Sequence, residues 1–220
     1  MGIISIEQAD RLYWLGRYTE RVYTTLKMYA KSFDSLIDGI SDIYIKYCKD
    51  MDIPNIYESK EDFVRRYPFD PSVPDSIVSN LTRAYDNAIV LRESIGSECL
   101  AYIQLAIYEM NKASKSKSPM IELQKVNDNL LAFYGIADDQ IDSEHVRNII
   151  KAGKRIERID LYARLGLDRK YLEREISRMI PRIERSGLEY STEKLEKIKS
   201  LIASEEINYY NIVSEVESIF

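Results

Sequence analysis

The sequence predicts an all-α protein, an elongated antiparallel helical bundle that opens on one very long N-terminal helix. Three observations carry this. Apolar residues over the first fifty positions recur at spacings of three and four, one side of a helix. Period-two alternation rich in Val, Ile and Thr persists nowhere for more than a few residues. Prolines are few and grouped: the 220-residue chain has 6, and none falls between positions 3 and 53.

The elements follow in order. Leu15, Tyr18, Val22, Leu26, Tyr29, Phe33, Leu36, Ile40, Ile43 and Tyr47 form one apolar stripe, weakened only at Gly16 and Gly39. A single helix of about 40 residues would be about 60 Å long. Pro54, Pro68, Pro71 and Pro74 mark turns and short elements. Asp75 or Ser76 caps a helix running to about Ile95, Gly96 breaks it, and Ser97 caps the next to about Lys112. The polar stretch from Ala113 to Pro119 reads as a loop. Further helices are expected at about 120–133, 143–166, 168–186, 191–203 and 205–219. Nothing resembles an inter-domain linker, so residues 1–220 read as one domain, with blocks at 5–47, 75–112 and 143–166 and C-terminal helices over 168–219.

Composition narrows the function classes. The chain is 45% hydrophobic and 30% charged with a net charge of −5, which suits a globular protein and gives no overall pull toward nucleic acid or an anionic membrane. Neither a signal peptide nor a spanning segment is expected, and Ile6 breaks the pattern of an N-myristoylation site. The 2 Cys, Cys48 and Cys99, read as reduced, core-filling thiols of a cytoplasmic protein. With 1 His, His145, a di-metal carboxylate bundle built on Glu-x-x-His pairs has no ligand set, and no metal is expected. Both motif glycines lie inside helices, so no phosphate-cradling loop, and no cofactor, is expected.

The most informative feature is a repeat. Gly16-Arg17-Tyr18-Thr19-Glu20-Arg21-Val22 recurs as Gly153-Lys154-Arg155-Ile156-Glu157-Arg158-Ile159, 137 residues later. On a helix each glycine lies one turn from its glutamate, on the same side, and opens room for a backbone, side chain or ligand. Arg17 is a same-side neighbour of Glu20, whereas Arg21 points about 100° away and must meet other partners. Buried charges need pairing. The two copies therefore read either as interhelical ion-pair networks that fix helix register, or as a polar cavity lined by Glu20, Glu157 and several arginines for an anionic or zwitterionic ligand. A third cluster, Arg83, Asp86, Asn87, Arg92, Glu93 and Glu98, either completes such a cavity, with Asn87 as a buried amide, or is a solvated helix with i,i+3 pairs. A separate feature is charge: residues 151–185 carry 11 basic and 6 acidic residues, and Arg174, Arg178 and Arg182 fall on one helix side. That stripe is either a solvated face with glutamate partners or a docking surface for an acidic partner or a phosphate. Aromatic interleaving is too sparse there for single-stranded nucleic acid.

Tyr13-Trp14-Leu15-Gly16-Arg17-Tyr18-Thr19-Glu20-Arg21 resembles the signature of the bacterial alpha-E domain family, a helical family marked by Glu-Arg dipeptides. Gly153 to Arg158 is similar to its later Gly-Arg-x-x-Glu-Arg element. Ala84-Tyr85-Asp86-Asn87-Ala88, Arg92-Glu93 and Ser97-Glu98 are similar to its central blocks, with Asp86 and Leu100 departing from the pattern. The resemblance covers about residues 5–165. It implies association with circularly permuted ATP-grasp ligases, and sometimes transglutaminase-like proteins, in peptide or amide-bond synthesis or modification. It also raises the weight of Glu20, Arg21, Glu98, Glu157 and Arg158 without assigning them chemistry. The expected function is therefore a helical partner of an ATP-grasp-type ligase. The alternatives are an enzyme or small-molecule binder that uses a Glu/Arg cavity, and a purely structural bundle. The candidate polar cluster is Arg17, Glu20, Arg21, Asn87, Arg92, Glu93, Glu98, Lys154, Glu157 and Arg158.

Overall fold

The protein is all-α. The computed structural model describes residues 4–37 and 42–220. Among them are ten helices and no strand. The first, α1, runs Ile6–Ile37, 32 residues and about 48 Å. Its predicted stripe is the buried side: Leu15, Val22, Leu26 and Tyr29 are all buried. The helix is shorter than the expected 40 residues, and the stripe resumes in a separate helix, α2 (Ile43–Asp50), which buries Tyr47 and Cys48. Gly39 and Ile40 lie outside the described residues.

The backbone gathers into two compact units, one of Met1–Arg17 with Ser143–Phe220 and one of Tyr18–Asp142. The second holds the remainder of α1, then α2, α3 (Lys60–Arg66), α4 (Ile77–Val90), α5 (Arg92–Ala113) and α6 (Pro119–Gln140). Capping chemistry sets the starts. Ser59 and Ser76 accept from the N–H groups of Asp62 and Ser79, and Pro119 opens α6 where a missing N–H does no harm. The short α3 lies within the Pro-rich stretch, among the turns and short elements expected there. It delivers Phe63 to an aromatic group with Tyr29, Tyr47, Tyr57 and Tyr67, where Phe63 and Tyr67 stack at 5.1 Å. The Tyr47 hydroxyl donates to Tyr67 at 3.0 Å, which satisfies two buried phenols. α4 stops at Val90, five residues before the expected Ile95, and α5 breaks at Gly96, whose φ of 83° only glycine adopts readily. α6 runs to Gln140, beyond the expected 133, because Phe133 and Ala137 continue its buried side.

The first unit holds the start of α1, then α7 (Glu144–Arg164), α8 (Arg169–Glu184), α9 (Thr192–Ala203) and α10 (Tyr209–Glu217). Ser143 and Ser191 cap α7 and α9. α7 ends in a Schellman motif: Gly166 takes φ 58°, its N–H reaches the Ala163 carbonyl, and the Leu167 N–H reaches that of Tyr162. The core is aliphatic, with Ile156, Ile159, Leu172, Met179, Ile183, Ile198, Ile212 and Val216 packed together. α7 supplies Ala152, Ile156, Ile159 and Ala163 to it, and the adjoining side of the same helix carries the polar residues described next.

Candidate functional site

The two motif copies meet at the crossing of α1 and α7 through their glycines. A Cβ on Gly16 would collide with the carbonyl oxygen of Ile150 and lie 3.0 Å from the Lys154 nitrogen. A Cβ on Gly153 would collide with the carbonyl oxygen of Tyr13 and lie 3.3 Å from the Arg17 nitrogen. Each glycine thus faces the residue three before the other glycine and the residue just after it. The crossing has an approximate two-fold relation, with backbone on backbone at a distance only glycine permits.

That approach brings the side chain of the first motif onto the second. Arg17 donates from Nε to Glu157 Oε2 at 2.6 Å and from Nη2 to Asp160 Oδ2 at 3.2 Å. Arg164 donates from Nε to Asp160 Oδ1 at 2.7 Å and from Nη2 to Glu217 at 2.9 Å. Glu157 and Asp160 are both fully buried and Arg17 is 5% exposed. The Arg17 guanidinium also lies 5.0 Å from the Trp14 ring centre, a cation–π contact. Burial works against the Arg17 charge, but Glu157, then Tyr13 and Asp160, outweigh it and hold the group protonated. Asp160 is pushed up to about 6, first by burial and then by the Glu157 charge, against the pull of Arg164 and Arg17. Burial also raises the Tyr13 phenol. The carboxylates of Glu157, Asp160 and Glu217 and the guanidiniums of Arg17 and Arg164 thus pair with one another inside the unit.

The other predicted residues divide. Glu20 is fully buried and accepts from the Thr24 hydroxyl at 2.7 Å. Arg21 and Lys154 are half-buried. The expected cluster at 83–98 is not a buried one. Asn87 is half-buried rather than buried, and Arg92, Glu93 and Glu98 are exposed. Arg92 donates to the Ser97 hydroxyl at 3.1 Å, and Glu98 accepts from Gln140 at 2.6 Å. The reason is angular. Ile77, Leu81, Ala84 and Ala88 form the buried side of α4, while Asn87 sits at its edge and Val90 is 59% exposed.

A second polar centre surrounds Glu175, which the sequence suggests only as a partner on a solvated face. Its carboxylate is fully buried. Arg155 of α7 donates to Oε2 at 2.6 Å, while Arg174 Nε and Arg178 Nη1 of α8 reach Oε1 at 3.1 and 3.2 Å. Arg158, the arginine of the second motif, stands 3.8 Å from Oε2. Burial raises the Glu175 pKa, but Arg155, Arg158 and the arginine hydrogen bonds outweigh it and bring it below its ordinary value. The side chains of Arg174 and Arg178 are 46% and 51% exposed, and Arg182 is half-buried and donates to Asn148 at 3.3 Å.

Asp160, Arg164, Arg155 and the burial of Glu175 escape the sequence reading. A signal for the first two exists: Gly153, Glu157, Asp160 and Arg164 are spaced 4, 3, 4, the rhythm of one helix side. His145 sits in the first turn of α7 with Nδ1 3.2 Å from the Ser186 carbonyl oxygen. Both cysteines are buried, and burial pushes their thiols up to about 11. Among the described residues, no three His, Cys, Asp or Glu side chains group as metal ligands, and no helix is long and apolar enough to cross a membrane.

A family model named Alpha-E, described as a predicted alpha-helical domain with a conserved ER motif, matches residues 7–202. The Glu-Arg pairs of the two motif copies, Glu20-Arg21 and Glu157-Arg158, lie within that match, as do Glu173-Arg174 and Glu184-Arg185. No curated protein and no solved structure matches the chain.

Proposed function

The chain belongs to the Alpha-E family, and from that premise we propose that it is a non-catalytic helical partner of an ATP-grasp-type ligase, acting in peptide or amide-bond synthesis or modification in the bacterial cytoplasm. A transglutaminase-like protein is the other partner class the family resemblance suggests. One observation carries the non-catalytic part. The acidic and basic groups of the α1–α7 crossing are buried and used on one another: Arg17 on Glu157 and Asp160, Arg164 on Asp160. A general acid or base must come within hydrogen-bond reach of its substrate. These groups instead join two helices. Arg174 and Arg178 on the α8 face are half-exposed, and that face is the docking surface in this reading.

Affinity capture of the tagged chain from its native cells, with mass spectrometry, tests it. Recovery of an ATP-grasp ligase near one-to-one, lost in Arg174→Glu/Arg178→Glu, is the expected result. Recovery of the chain alone contradicts it.

A second reading rests on Asp160, a buried carboxylate whose pKa burial and the Glu157 charge push up, which is a frequent property of functional sites. It makes the crossing a small-molecule site for an anionic or zwitterionic ligand. A ligand that raises the melting temperature of the wild type but not of a folded Glu157→Gln variant would favour it.

A further inference from the structure

We propose that the arginine centre around Glu175 is a binding site for a phosphate group, with Arg174 and Arg178 as its direct ligands and Glu175 as the residue that positions them. This goes beyond the partner reading, because the site acts in the isolated chain and needs no ligase.

The argument starts from a count of donors. A carboxylate accepts about four hydrogen bonds, and each guanidinium offers five N–H groups. Glu175 takes one bond each from Arg155, Arg174 and Arg178. Three guanidiniums, those of Arg155, Arg174 and Arg178, donate to this one carboxylate, a surplus of two positive charges. Like charges gathered so closely repel, and Glu175 alone does not neutralise them. A second anion does.

Geometry favours a compact one. The arginines converge on a single point, rather than being spaced along a groove as an extended acidic peptide would require. Arg174 and Arg178 lie one turn apart on α8 and are tied to the same oxygen, Oε1. Arg174 is further fixed by lying 5.4 Å from the centre of the Tyr171 ring. Their ordering is thus largely achieved before any ligand arrives, which lowers the entropy lost on binding. Half-exposed planar guanidiniums side by side suit the oxygens of a phosphate, which they engage in pairs. Arg155 is mostly covered and contributes charge from beneath.

Isothermal titration calorimetry of the full chain tests this with pyrophosphate, inorganic phosphate and ADP as probes, beside an oligoglutamate peptide. Pyrophosphate should bind, and Arg174→Gln/Arg178→Gln should weaken it about tenfold or more while leaving thermal unfolding in place. Lys60→Gln/Arg65→Gln removes two exposed charges from the other unit and should change nothing. Tighter binding of ADP would show that the phosphate arrives on a nucleotide, and equal binding of inorganic phosphate that it arrives free. The proposal falls if no phosphate probe binds, if both double variants weaken binding equally, or if oligoglutamate binds more tightly than pyrophosphate. None of these outcomes bears on ligase recovery, which is read separately.

Discussion

Arg17 is a residue on which the buried network turns, because it contacts both Glu157 and Asp160. Arg17→Ala leaves two carboxylates buried side by side and should lower the unfolding free energy by about 3–5 kcal/mol at neutral pH. Urea denaturation measures this, and part of the loss should return in acid as the carboxylates take up protons. Asp160 gives the wild type its own pH signature. In the folded chain it keeps its proton up to about pH 6, and in the unfolded chain only to about pH 4. The folded state therefore binds more protons in that window, and this group's contribution to stability falls as pH rises through it. Asp160→Asn should remove that slope. Glu175 works with the opposite sign. Its folded pKa is lowered, so its contribution is present above the ordinary carboxylate range and is lost as pH falls. Unfolding curves collected between pH 4 and 7 for wild type and each variant separate the two. Some of this was legible in sequence. The 4, 3, 4 spacing from Gly153 to Arg164 marks one helix side, and charged residues on an apolar side imply pairing. The partners were not legible, because Arg17 meets Glu157 across 140 residues, and spacing along one helix says nothing of which helix lies opposite.

At the scale of elements, the decisive feature is the contact of α1 with α7 at two glycines. Glycine inside a helix is disfavoured by about 1 kcal/mol relative to Ala, so two of them at matching places in a repeat are a sequence-level sign of close approach. Gly16→Ala and Gly153→Ala should each destabilise by about 1–3 kcal/mol despite the better helix propensity, because the added methyl meets backbone that cannot swing aside. Gly135, exposed within α6 with nothing near its would-be Cβ, is the matched control. Gly135→Ala should stabilise by about 0.5–1 kcal/mol. Thermal melts of the three variants decide the matter by sign alone. Helix starts were readable because their causes are local: Ser76, Ser143 and Ser191 each cap the helix predicted to follow them. The end of α4 was misjudged for a reason equally physical. Apolar residues continue past Val90, but Ile89 and Val90 face solvent, and the chain turns at Leu91 to start α5. Asn87 was placed in the core by its alanine neighbours, although it lies off the side those alanines define.

Across the whole molecule, the family match spans 7–202 and so takes in residues of both units, α8 and nearly all of α9. The resemblance read from sequence reached only about residue 165, because the three motif blocks that carried it end there. The all-α class was legible from periodicity alone, whereas a function was not, since motif residues buried in a network and motif residues lining a cavity share one pattern in the chain. The central claim is that the Arg17–Glu157 contact joins helices and does no chemistry. Arg17→Met/Glu157→Leu tests it most directly, since a buried ion pair can be exchanged for apolar side chains of similar volume without loss of stability. The account predicts that this double variant folds and still recovers the ligase partner in affinity capture. A variant that folds as the wild type does but recovers no partner would contradict it, and would make the crossing a working site.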